Sequence, residues 1–266
     1  MSEGALFPHR CLLTFSPASY IVRIGEGKLK KLTVSKTALI NVLLIAVLLF
    51  VFAVSFFPER IAPISGNGKI SAVYRGNPNK AEVSLMFNVY QGSEYVEAIL
   101  DTLSERGAKA TFFVGGSWAD DNKDLLCRIV GEGHELANHG YFHRDHAKLD
   151  YERNKEEIVT TERVAEALCG VKTALFAPPS GSFSDTALEV CADLGYRLIM
   201  WSKDTIDWRD QDGDKIYRRA TENLANGDLV LMHPTKETAN TLPAVLDYYA
   251  SVGFAAVTVS RNLEET

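Results

Sequence analysis

Short apolar runs alternate with helix-period stretches over most of the chain. EVSLMFNV (82–89) reads as a strand, and SEYVEAILDTLSERG (93–107) reads as an amphipathic helix stopped by glycine. KATFFVG (109–115) is a second strand rich in β-branched and aromatic residues, followed by a helix over 120–133 and the short extended HELANH (134–139). The pattern continues with a charged helix at 150–170, a strand at 174–179, a helix at 184–195 and the strand YRLIMWS at 196–202. A helix at 214–225, a strand at 228–233, a helix at 240–252 and a strand at 254–260 complete it. Regular β-α alternation of this kind predicts an α/β fold with a parallel sheet covered by helices; about seven repeats predict a closed or nearly closed barrel.

The first part of the chain breaks this pattern. ALINVLLIAVLLFVFAVSFF (38–57) carries no charge, and 15 of its 20 residues are Leu, Ile, Val or Phe. As a helix rising ~1.5 Å per residue it matches a hydrocarbon core of ~30 Å. At roughly −0.3 to −0.6 kcal/mol per large apolar residue, insertion outweighs what Asn41 and Ser55 oppose. A buried core helix of this length would normally keep a polar face. Arg10, Arg23, Lys28, Lys30, Lys31 and Lys36 precede the run against only Glu3 and Glu26, which predicts a cytoplasmic N-terminus and an extracellular C-terminal part. A cleaved signal peptide fits less well, because the n-region is long and no A-x-A-like site follows. The expected organisation is a cytoplasmic segment (1–37), a transmembrane helix (38–57), a Gly/Pro/Ser/Asn linker (58–79) and one domain (80–266).

Composition adds little beyond this. Hydrophobic residues make up 46% and charged residues 23%, as in a globular chain, and a net charge of −6 gives no reason to expect nucleic acid. No feature points to a protein partner. Cys127, Cys169 and Cys191 fall in the outer domain at spacings that match no zinc motif, so each reads by default as a small buried hydrophobe.

Chemistry in such barrels sits at the C-terminal ends of strands. The residues there are Asn88, Gly115, His139, Pro178, Asp204 and His233, four of the six polar or titratable. His139 and His143, in HGYFH, are spaced to share a metal, and four of the six histidines fall between 134 and 146. FAPPSGSF (176–183) is a stiff turn that is either a rigid loop or one wall of a groove, with Phe183 as an aromatic platform. WSKDTIDW (201–208) sets Asp204 and Asp207 beside Trp201 and Trp208, and LMH (231–233) ends a buried strand in His233. A carboxylate accepting from His233 would raise its pKa and orient it as a general acid.

Taken in order, MFNV, HGYFH, APPSG, DTIDW and LMH resemble the motifs TFDD, HSxxH, RxPxG, DxxDW and LxH of the polysaccharide deacetylases with the NodB homology domain, carbohydrate esterase family 4. The resemblance spans residues 80 to 262 and is nearest to membrane-anchored, sporulation-type members. It implies a distorted (β/α)7 barrel and a hydrolase that removes N-acetyl groups from cell-wall polysaccharide with a divalent metal, most commonly zinc. The departures fall on one half of the site. Asn88 stands where the family has its catalytic base, Val89 where it has the Asp of an Asp-His-His metal site, and Ala177 where it has the Arg that orients the base. Asn88 cannot take a proton at neutral pH and Val89 cannot ligate. The best substitute for the missing ligand or base is Glu94, with Asp145 and Asp204 behind it; the bland alternative is that Glu94 serves only a helix start.

Two functions follow. The first is a membrane-anchored deacetylase with an altered motif, in which His139, His143 and Glu94 hold the metal and His233, oriented by Asp204, is the acid. The second is an inactive homologue that binds cell-wall glycan. In either case Asn88, Pro179, Phe183 and Trp208 are the expected glycan contacts.

Overall fold

The computed structural model describes residues 19–24, 28–33, 36–56 and 70–264, with side chains described over 37–49 and 70–264. The chain divides into two compact units, 1–64 and 65–266. In the first, β1 (Ser19–Ile24) and β2 (Lys28–Thr33) pair antiparallel, two strands that the sequence pattern did not suggest. They are followed by α1 (Lys36–Phe56), a helix of 21 residues where the transmembrane segment was expected. Phe57, the rest of the segment 1–37 and the linker up to residue 69 lie outside the described residues. Among the described residues no helix is long and apolar enough to cross a membrane. The side chains described for α1 stop at Leu49, so the expectation of a membrane span there rests on the sequence alone.

The second unit is built around β3 (Glu82–Val89), whose residues from Val83 to Val89 are all buried. A strand buried on both faces is what a parallel sheet needs at its centre. After it come α2 (Val96–Glu105), β4 (Thr111–Val114), α3 (Gly116–Asp121), α4 (Lys123–Gly131), β5 (Glu135–Asn138) and α5 (Tyr151–Cys169). The side chain of Asp150 caps α5 by accepting from Arg153 N at 2.9 Å, and Gly170 at φ 69° stops it in a left-handed conformation. Then follow β6 (Leu175–Phe176), a 3-10 turn (Pro179–Gly181), α6 (Asp185–Asp193), β7 (Arg197–Leu198), β8 (Lys203–Asp204) and α7 (Asp207–Asp210). The chain continues through α8 (Gly213–Thr221), β9 (Leu229–Met232), α9 (Lys236–Ser251), β10 (Ala255–Ala256) and α10 (Val259–Asn262).

The strands of this unit lie parallel in the order β7-β6-β5-β4-β3-β9-β8, with β10 also paired to β3. The run expected as one strand at 196–202 holds only β7, and β8 begins just past it, at the other end of that order. Ile199 N donates to Phe176 O of β6 at 2.8 Å, and three residues later Ser202 N donates to Leu229 O of β9 at 3.0 Å. Three residues span no more than about 11 Å. The two edges of the sheet therefore curl towards each other, giving an α/β half-barrel of parallel strands consistent with the expected (β/α)7 fold. The segment at 199–202 cannot stay a strand along β6 because it has to change partners.

Period-two alternation sorts the side chains into two layers. Val83, Leu85, Phe87 and Val89 of β3 join Phe112, Val114, Val230 and Met232 in the helix-side core, where Phe87 stacks on Phe112 at 5.1 Å. Met86, Phe113, Ala137, Leu175, Ala177 and Leu229 form the opposite, interior cluster. By the same alternation Asn88, Gly115, His139, Ala177 and His233 fall in one layer at the C-terminal mouth of the barrel. The disulfide between Cys127 of α4 and Cys169 of α5 corrects the reading of both as plain hydrophobes; Cys191 is free and buried, its thiol pKa pushed up to about 12 by burial. A disulfide is characteristic of an oxidising compartment.

Candidate active site

The two histidines of HGYFH meet at the mouth, their ring centroids 5.1 Å apart in an edge arrangement. Gly140 (φ 75°) and His143 (φ 54°) both take left-handed backbone, which folds the loop back on itself. His139 Nδ1 bonds to Ala177 O at 2.7 Å, tying β5 to the loop after β6. A ring that donates from Nδ1 keeps Nε2 free to accept a proton or a metal. Burial pushes the His139 pKa down to about 3, with the neighbouring His143 adding to the effect and the Ala177 bond opposing it. His143 is also lowered, chiefly by burial, and lies under the ring of Tyr90 at a centroid distance of 3.7 Å. Tyr90 was not anticipated; its only signal was an aromatic residue at the strand exit.

His233 has a carboxylate partner, but it is Asp207 and not Asp204. His233 Nδ1 lies 2.8 Å from Asp207 Oδ1, while Asp204, partly exposed, accepts from Ile206 N at 2.8 Å. Between them Ile206 sits at φ 53°, a conformation that β-branched residues rarely adopt, and this turn aims Asp207 at the end of β9. Asp207 is fully buried and also accepts from His233 N and Thr238 Oγ1, both at 2.6 Å, and from Trp208 N at 2.9 Å.

The end of β3, which lies next to β9 in the sheet, has no such network. Asn88 is 3% exposed and its Oδ1 has no hydrogen-bond partner among the described residues. Val89 turns into the helix-side core. Glu94 is exposed in the turn before α2 beside Tyr95, whose hydroxyl pKa it raises, and is not gathered with the histidines. Asp145 accepts from Ser182 Oγ at 2.6 Å and pairs with Lys148 at 2.8 Å. Among the described residues no group of three or more His, Cys, Asp or Glu could hold a metal ion. The two imidazoles thus lack the third protein ligand that a catalytic metal needs, and the residues present do not fit the family's metal.

Of the expected glycan contacts, Trp208 is 57% exposed beside Asp207. Pro179 is buried in the 3-10 turn, and Phe183 is partly buried against the Phe176, Val190 and Met200 cluster rather than standing free. Gly181 (φ 67°) lets the Trp201 ring approach that turn; a Cβ there would meet it at 2.7 Å.

The family described as polysaccharide deacetylase matches residues 75–199. An uncharacterised Bacillus subtilis protein is 39% identical over 194 residues, 73% of this chain and 61% of its own length. A peptidoglycan-N-acetylglucosamine deacetylase of Bacillus cereus is 32% identical over 173 residues, 65% of this chain and 63% of its own. The chain thus spans a little under two thirds of these relatives. A Bacillus anthracis protein described as a CE4 family pseudoenzyme superposes with a TM-score of 0.72 at 35% identity, covering 75% of this chain and 71% of that one. This chain belongs to the polysaccharide deacetylase family, carbohydrate esterase family 4. Deacetylases of the family depend on a metal in general. A mutant of the pseudoenzyme, 33% identical to this chain, is described as having restored enzymatic activity.

Proposed function

We propose that this protein is a non-hydrolytic family member that binds cell-wall glycan at the mouth of its barrel, held at the outer face of the membrane by the helix at 38–57. The observation that carries this reading is the base half of the site. Asn88 offers a buried, unpartnered oxygen where hydrolysis needs a proton acceptor, and Val89 offers hydrocarbon where it needs a ligand. An amide oxygen accepts a hydrogen bond but does not take a proton, so Asn88 suits the N–H of an acetamide. Exposed Trp208 supplies an aromatic face at the rim. The relatives described as peptidoglycan deacetylases and the similar pseudoenzyme support the polymer class and the loss of hydrolysis. The disulfide and the basic flank of the apolar run support the outer location.

The rival reading, an active deacetylase, relied on Glu94 as a substitute ligand and on the survival of His233 as an acid. Glu94 stands apart from the histidines. Acetate release from N-acetylglucosamine oligomers, with and without added zinc, tests the choice. The expected result is no release from the natural chain, with or without zinc. Turnover by the natural chain above the no-protein blank sinks the proposal.

A further inference from the structure

The HGYFH loop presents a pair of side chains that the histidines do not use. Phe142 is 60% exposed, although it lies between His139 and His143. Its ring meets Tyr141 edge-on at 4.5 Å and carries the Arg144 guanidinium at 5.3 Å over its face. One buried carboxylate fixes both residues. Glu157, 5% exposed on α5, accepts from Phe142 N at 2.7 Å through Oε2 and pairs with Arg144 Nε at 3.1 Å through Oε1. Arg144 keeps 44% of its side chain exposed, and its terminal Nη groups make no ion pair among the described residues.

We infer that Phe142 and Arg144 form a subsite that selects hexosamine glycan bearing carboxylates over neutral hexosamine glycan. The inference rests on the glycan-binding reading and names the substrate class of that same site. An exposed aromatic ring packs on the C–H face of a pyranose. The free edge of a guanidinium matches the two oxygens of a carboxylate, and its orientation is already set by Glu157. The chain as a whole is acidic, at −6, so its general charge repels such a polymer and any preference has to come from a local cation. The carboxylate is carried on an ether side group of the sugar or on an attached peptide; the chemistry is shared.

Calorimetric titration of the purified full chain with three oligosaccharides of equal length tests this: a neutral N-acetylglucosamine oligomer, a peptide-free oligomer alternating with muramic acid, and its peptide-bearing form. The peptide-free acidic oligomer is expected to bind about tenfold tighter than the neutral one. Arg144→Gln removes that difference while leaving neutral binding in place, and Phe142→Ala weakens both about equally. Further tightening by the peptide-bearing oligomer, lost in Arg144→Gln, moves the carboxylate to the peptide. Equal affinity of the natural chain for acidic and neutral oligomers, or a preference that survives Arg144→Gln, overturns the subsite and leaves glycan binding standing. Binding to none of the three removes the glycan-binding reading, and the subsite with it. Unchanged thermal unfolding of both variants separates these outcomes from misfolding.

Discussion

The two halves of the barrel mouth differ in how their polar groups are satisfied. Around Asp207 a buried carboxylate takes donors from two backbone amides, a threonine hydroxyl and an imidazole. Around Asn88 a buried amide oxygen has no partner and the next side chain is core hydrocarbon. A surviving Asp–His pair is easily taken as a sign of catalysis. Here it also ties α7, the end of β9 and the first turn of α9 together, because Trp208, His233 and Thr238 all donate to the same carboxylate. Such a network holds the fold together whether or not the site reacts. His139 has a comparable second duty through its bond to Ala177. The base half carries no structural load of this kind, so nothing in the fold resists replacement of its acids by Asn and Val.

The sharpest way to break this comparison is to remove Asp207. Asp207→Ala leaves buried donors unpaired and is expected to destabilise by about 3–5 kcal/mol, read from urea unfolding. A loss below about 1 kcal/mol means that the acid half is not structural.

A second test uses proton linkage on the buried histidines of the domain. Burial lowers His134 and His146 to about 4, and His139 shifts in the same direction. An unfolded histidine titrates near 6.5. Between about 6.5 and about 4 the unfolded chain therefore binds more protons than the folded one, and stability falls as pH falls, by up to about 1.4 kcal/mol per pH unit for each such histidine. Flat unfolding midpoints from pH 7.5 to 5 contradict the buried, neutral assignment.

The smallest effect is expected at Asn88. Its oxygen has no partner to lose, so Asn88→Leu should change stability by less than about 1 kcal/mol. Asn88→Asp buries a carboxylate instead and should cost more at pH 7 than at pH 4, where the acid is protonated. A larger penalty for Asn88→Leu than for Asp207→Ala reverses the comparison.

Local pattern was enough for much of this protein. The full burial of β3, the caps Asp150 and Gly170 on α5, the strand-end set of Asn88, His139 and His233, and the missing acids at 88 and 89 all follow from residues close together in the chain. Periodicity and capping are short-range effects, and a motif records side chains held by one loop. Packing across the barrel decided the rest. Asp207 rather than Asp204 meets His233, because Ile206 turns left-handed against a strand 26 residues further on. Cys127 finds Cys169 because α4 lies on α5 across 42 residues, and the chain at 199–202 passes from β6 to β9 because the two edges of the sheet curl towards each other. Glu94 is close to Asn88 in sequence yet stays in solvent, and Tyr90 covers His143 instead. Each of these outcomes depends on which surfaces the topology brings together, and residue spacing along the chain carries no record of that.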